Sequence, residues 1–106
     1  MSFNQFDIYW VNLDPTEGSE IKKTRPAVIV SPDSMNKVLS TVVVAPLTST
    51  IIKWPFRTVV EVTEQRSSVA CDHIRSVSIK RLQKKIGTLS KSEQRQVMQI
   101  LQTMFL

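Results

Sequence analysis

The chain predicts a mainly β fold, a small barrel or curled sheet, with one C-terminal α-helix packed on it. Three observations predict this. Short runs rich in Val, Ile and Thr recur between Phe6 and Val77, separated by Pro, Asp, Ser and Gly. Ser90 and Glu93 stand at capping-box spacing, where a hydroxyl and a carboxylate satisfy each other's free backbone N–H groups. Beyond them, Val97, Leu101, Met104 and Phe105 recur at helical spacing, with Met98 beside them. Many strands followed by one helix is the pattern of a small β architecture with a docked helix.

The first strand is expected over Phe6–Leu13. Phe6, Ile8 and Trp10 fall on one face and Tyr9, Val11 and Leu13 on the other. Both faces are apolar, so both should be covered, and Trp10 is assigned to the core or to an interface. Asp14-Pro15 stops the strand. Ala27–Val30 is a β-branched run between Pro26 and Pro32 and reads as a buried strand. Ser31–Lys37 is turn-rich. Thr41–Ala45 is the third strand, closing at Pro46, so Thr48 lies just past a strand end. Ile51–Phe56 is a loop or hairpin tip, Arg57–Val62 a fourth strand, and Thr63–Ser68 a polar connection. Ser68–Val77 holds one or two strands with Val69, Cys71, Ile74 and Val77 inward. Ser78–Lys85 is basic and reads as one helical turn, and Ile86–Leu89 as a connector or short final strand. The closing helix should run about 15 residues, roughly 22 Å.

With 106 residues, the chain is expected to form one domain over 1–106 that buries a core without staples. Cys71 is the only cysteine, which rules out an intramolecular disulfide and fits a reducing cytosol. No apolar run approaches the roughly 20 residues of a spanning helix. The N-terminus lacks the basic region and cleavage site of a signal peptide. A cytoplasmic protein without membrane contact is therefore expected. The net charge of +5 favours an anionic partner, nucleic acid or an acidic protein.

The densest chemistry lies in Asp14–Ser31. A polar loop holds Glu17 and Glu20, Gly18, the hydroxyls of Thr16, Ser19 and Thr24, and the cations Lys22, Lys23 and Arg25. Pro26 disfavours helical geometry at Arg25 and extends its backbone. That fixes a planar, five-donor guanidinium suited to a phosphate.

The run DIYWVNLDPTEGSEIKKTRPAVIVSP resembles the opening of the MazF/PemK ribonuclease toxins of bacterial toxin–antitoxin systems. The likeness continues in VVVAPLTS, in the loop with WPF and in ACDHIRSV, and so covers nearly the whole chain. It implies an SH3-like barrel, a homodimer, and metal-independent cleavage of single-stranded RNA, mostly messenger RNA. The products would be a 2′,3′-cyclic phosphate and a 5′-hydroxyl, and growth would stop. An antitoxin with a disordered acidic tail would cover the RNA groove. Carried over position by position, the resemblance marks Arg25, Thr48 and Glu20. Some relatives have HE where this chain has Ser19-Glu20, and R-x-D where it has Ala70-Cys71-Asp72. Of that histidine, arginine and aspartate, only Asp72 is present, so their acid–base scheme does not transfer whole.

Cleaving RNA through its own 2′-hydroxyl needs a proton acceptor, charge stabilisation at phosphorus and a proton for the departing 5′ oxygen. Arg25 fits the second role and Thr48 can donate to a non-bridging oxygen. Arginine is effectively always protonated, so Arg25 is not taken as the base. Glu20 and Asp72 are the available carboxylates, Glu20 serving either in the chemistry or as an ion-pair partner orienting Arg25. Ser19 and Thr16 offer hydroxyls, and Lys22, Lys53 and Arg57 offer charge to the RNA backbone. Lys80, Arg81, Lys84 and Lys85 are further basic residues of the same kind. Trp54 and Phe56 flank a proline in a loop and are placed either to stack on bases or to pack on an antitoxin or on the barrel itself. His73 is either an RNA contact or a surface histidine, and Cys71 a buried small hydrophobe. One His and one Cys without paired carboxylates cannot build a zinc site, and no cofactor is expected. Two alternatives stay open: a non-cleaving RNA- or protein-binding module of the same fold, and a toxin acting on gyrase.

Overall fold

A computed structural model describes residues 2–106. Seven strands form one antiparallel sheet: β1 Asp7–Asn12, β2 Thr24–Ile29, β3 Thr41–Thr48, β4 Arg57–Val62, β5 Gln65–Ala70, β6 Arg75–Ser78 and β7 Leu82–Thr88. Their order is β4-β5-β3-β2-β1-β7, with β6 paired to β3 beside that path. A short helix α1, Asp33–Asn36, follows β2, and α2, Lys91–Met104, closes the chain. The mainly β architecture with one C-terminal helix is as the sequence predicts.

The period of two explains the core. Ile8 of β1 joins Val28, Ala45, Leu47, Val60 and Val69 beneath α2, which contributes Val97 and Leu101. Tyr9, Val11 and Leu13 point the other way and meet Ala27, Ile29, Val42, Val44 and Val77. Both faces of β1 are therefore covered, except at Trp10 and Asn12. Trp10, on the Ile8 face, is 40% exposed and lies outside the core. It pairs with Pro26, at the end of the β1–β2 ladder that leads into the polar loop.

Several boundaries differ from the sequence expectation. β2 starts at Thr24 and includes Arg25 and Pro26, because β1 supplies partners as far as Asn12↔Thr24. β3 runs through Pro46 to Thr48. Pro46 sits where β3 leaves β6 and takes up β5, so its missing N–H interrupts no continuous ladder there. The polar run Thr63–Ser68 is not a connection. Val62 pairs with Gln65, leaving a two-residue hairpin of Thr63 and Glu64, both at positive φ (49° and 67°). The basic run is helical only at the 3-10 turn Ile79–Arg81, and Leu82–Thr88 is then a full strand held by β1.

The capping box forms as expected. Ser90 N donates to Glu93 Oε1 at 2.9 Å and Glu93 N to Ser90 Oγ at 3.2 Å. The other Glu93 oxygen accepts from Glu61 N at 2.9 Å, which ties the helix start to β4. The helix spans 14 residues. Its apolar stripe outlasts the core, since Met104 and Phe105 are 38% and 70% exposed.

Candidate active site

The polar loop after β1 is closed across its base. Leu13 N donates to Lys23 O at 3.0 Å, and Lys23 N donates to Asp14 Oδ1 at 3.0 Å. Lys23 takes a positive φ of 73° to do so. Two arginines from further along the chain hold the loop's entry. Arg75 Nη1 donates to Leu13 O at 2.9 Å, and Arg81 Nη1 donates to Asn12 O at 3.1 Å and also to Asp14 O. Arg75 was not a candidate from sequence, because a lone arginine in a short strand carries no local signal. Arg81 spends its donors on the loop backbone rather than standing free.

Arg25 leaves the loop as the second residue of β2, opposite Val11. Its Nε donates to Lys22 O at 2.9 Å. This bond fixes the guanidinium plane through one edge and leaves the terminal amino groups to a ligand. Glu20 does not orient Arg25. Its Oε1 accepts from Glu17 N at 2.6 Å, closing a turn around Gly18, which sits at φ 59°. Ser19, Lys22 and Glu20 are exposed, and Thr16 is half-buried.

Beside the loop is a cleft of about 220 Å³, lined by Glu20, Asp72, His73 and Arg75 over Pro46. It joins residues more than 50 positions apart, and the register explains how. Ala27↔Pro46 sets β3 against β2, and Val44↔Arg75 sets β6 against β3. The 3-10 turn Cys71–His73 just before β6 is thereby carried to the loop.

Thr48 ends β3, opposite Ser68 of β5. Its Oγ1 accepts from Thr50 N and donates to Thr50 O, both at 3.1 Å. The next residues form the loop with the aromatic pair. Trp54 and Phe56 lie 5.2 Å apart at 31°, and Trp54 remains 43% exposed. The Arg57 guanidinium lies over Trp54, 5.1 Å from the ring centre, within cation–π range. Lys53 is exposed.

Arg57 and Asp72 engage each other. Arg57 Nε and Nη2 donate to the two Asp72 oxygens at 2.6 and 2.9 Å, a bidentate pair. The Arg57 side chain is 8% exposed, so it is not a freely solvated cation. His73 Nε2 lies 3.5 Å from Asp72 Oδ2. The Arg57 hydrogen bonds hold the Asp72 carboxyl below the usual range, and the same bonds hold Arg57 above its own. Burial pushes the Cys71 thiol up to about 11, so it is a packed thiol rather than a nucleophile. Among the other cations, Lys85 lies 3.4 Å from buried Asp7. Among the described residues, no three His, Cys, Asp or Glu side chains are grouped to hold a metal, and no helix is long and apolar enough to cross a membrane.

Comparison with known proteins follows the same outline. Residues 4–105 match a family model described as PemK-like, MazF-like toxin of type II toxin-antitoxin system. Endoribonuclease MazF9 of Mycobacterium tuberculosis (strain ATCC 25618 / H37Rv) is 37% identical over 97 residues, covering 82% of each chain. The crystal structure of MazF from Deinococcus radiodurans superposes with a TM-score of 0.88 at 23% identity, over 99% of this chain and 97% of that one. An endoribonuclease from Mycobacterial species, in complex with its cognate antitoxin, superposes at 0.83 with 19% identity, over 96% and 93% of the chains. At those identities the two structures speak to the fold.

Proposed function

This chain belongs to the PemK-like, MazF-like toxin family of type II toxin–antitoxin systems, and we propose that it is an endoribonuclease that severs single-stranded RNA, mainly messenger RNA, without a metal ion. The whole chain acts as a single toxin domain. The 2′-hydroxyl attacks the adjacent phosphorus, and the products are a 2′,3′-cyclic phosphate and a 5′-hydroxyl. Growth arrest follows from loss of messenger RNA. In this reading the toxin works in the cytoplasm as a homodimer, and an antitoxin with an acidic tail blocks it by covering the basic groove.

The observation that carries the reading is Arg25. Its backbone is set by strand pairing and Pro26, its Nε is fixed on Lys22 O, and its remaining donors are free for a phosphate. Those donors meet the negative charge that builds as phosphorus becomes pentacoordinate. Thr48 donates to a non-bridging oxygen once its bond to Thr50 O is exchanged. Asp72, held ionised by Arg57, is a weak base. Glu20 is the other carboxylate on the cleft and takes the acid–base role. Ser19, Thr16 and Lys22 contact the backbone and ribose around the cleft, and His73 a base edge. Lys53, Trp54 and Phe56 receive the flanking nucleotides.

The test is purified protein on a long single-stranded RNA in excess EDTA, with end-group analysis. Cleavage with 5′-hydroxyl ends is expected. Arg25→Ala should lower the rate about 100- to 1000-fold with an unchanged circular dichroism spectrum. Arg25→Ala cutting at the wild-type rate removes the proposed role. Intact RNA with wild type favours a binding module.

A further inference from the structure

The pair formed by Arg57 and Asp72 is more than a local ion pair. Its two ends touch two different parts of the site. Asp72 belongs to the cleft that holds Glu20 and Arg75. Arg57 lies over Trp54, the exposed aromatic of the loop between β3 and β4. One guanidinium thus uses one edge on the carboxylate while its central carbon lies 5.1 Å over the indole. This is geometry that arginine permits and lysine does not.

We propose that Arg57 and Asp72 are specificity-determining positioning residues. They fix the distance between the Trp54–Phe56 platform and the cleavage cleft, and so select the base that occupies one position beside the scissile phosphate. The proposal rests on the reading above, that the cleft cuts RNA and the aromatic loop receives a base.

The fold makes the tie rigid at one end. Arg57 pairs with Ala70 across β4 and β5, which brings Asp72, two residues beyond, alongside the Arg57 side chain. The loop's backbone bonds are local, Trp54 N to Ile52 O at 3.0 Å and Arg57 N to Trp54 O at 3.1 Å, and its Pro55 and Phe56 line a groove with Ile100 and Met104 of α2 on the side away from the cleft residues. The guanidinium is therefore the link from the indole to the cleft. A base stacked on Trp54 then lies at a set span from the cleft that Asp72 shares with Glu20. With the link cut, the platform is free to shift, and bases of other size or stacking strength fit equally well. Stacking is tolerant of sequence by itself. Selectivity needs the platform held in one place relative to the reacting phosphate.

The experiment maps cleavage sites on a long RNA for wild type, Arg57→Gln, Asp72→Asn, the double variant and Trp54→Ala, with folding checked by circular dichroism. For each, kcat/KM is compared between the preferred site and its single-base variants. The expected result is that Arg57→Gln and Asp72→Asn relax the same single base position as Trp54→Ala. The preference there should fall about tenfold, within the range of one stacked base. The double variant should lose no more than either single change, as coupled residues do. A rate loss that is equal at all sites, with preference intact, overturns the proposal. So does relaxation at a position that Trp54→Ala leaves alone. A second measurement needs no cleavage. In a Trp10→Phe background, acrylamide quenching of Trp54 should rise in Arg57→Gln, and an unchanged quenching constant overturns the proposal. Wild-type protein that leaves RNA intact overturns the underlying reading instead, and the quenching result then stands apart from it.

Discussion

Asp72 shows how much of the site depends on one side chain's company. As a bare position it is a carboxylate near RNA. In the fold it accepts both Arg57 donors, lies 3.5 Å from His73, and follows the buried Cys71. Its carboxyl is held below the ordinary value by the Arg57 bonds first, against an opposing effect of burial. A depressed folded-state value stabilises the protein at every pH above the unfolded one, about 3.9. That stability is lost as pH falls from there through the lower folded value. The unfolding free energy of wild type minus that of Asp72→Asn should thus stay level from pH 7 to 5, at about 0.5–1 kcal/mol for a pair open to solvent on the Asp72 side, and shrink only below about pH 4. Denaturant titrations in a His73→Gln background, where no histidine titrates beside Asp72, measure it. A difference that already falls between pH 7 and 5 would mean that the carboxylate is not held low. None of this pairing can be read along the chain. Arg57 and Asp72 are 15 residues apart, and only the register of β4 on β5 brings them together. Arg25 is the opposite case. The proline after it acts within one residue, so its extended backbone was open to reading from sequence.

Elements show the same division between local and distant causes. The closing helix was legible because both halves of its capping box lie within four residues. β1 was legible because alternation needs no partner, yet the exposure of Trp10 depends on what lies over it. The β4–β5 hairpin was missed for a chemical reason. Its turn takes left-handed backbone at two positions, a conformation usually marked by Asn-Gly, and here Thr63 and Glu64 adopt it. A side chain there costs about 1–2 kcal/mol per residue, more telling for a β-branched threonine. The change Thr63→Asn with Glu64→Gly should therefore raise stability by about 1–2 kcal/mol, less than the summed strain because glycine also loosens the unfolded chain. A rise of several degrees in Tm is the readout for a chain of this size. An unchanged or lower Tm would show that the turn is not strained. Nuclease activity should be untouched, since the turn lies at the far end of β4 and β5 from Arg57 and Ala70.

The whole molecule carries a charge of +5, but its 14 cations are not equivalent toward a polyanion. Arg57 is already neutralised by Asp72, and Lys85 sits beside Asp7. Arg75 and Arg81 hold the loop backbone. Lys22 and Lys53 are exposed, Lys22 next along the chain to the cleft residues Glu20 and Ile21 and Lys53 next to Trp54. Salt dependence separates these classes. Each phosphate neutralised by a free cation releases counterions and steepens the log–log slope of affinity against salt by about 0.7 for single strands. A cation committed to a carboxylate brings no net charge and should leave the slope alone. Lys22→Gln should thus flatten the slope by about 0.7, whereas the charge-neutral double change Arg57→Gln with Asp72→Asn should weaken binding while keeping the wild-type slope. The arginine acts through the position of Trp54 and not through charge. Fluorescence anisotropy with a fully 2′-O-methylated single strand, which cannot be cut through its 2′ position, gives both slopes across a salt series. Equal flattening by the two variants would mean that Arg57 leaves Asp72 for a phosphate when RNA binds. Specificity would then have to be sought in direct base contacts rather than in the span between platform and cleft.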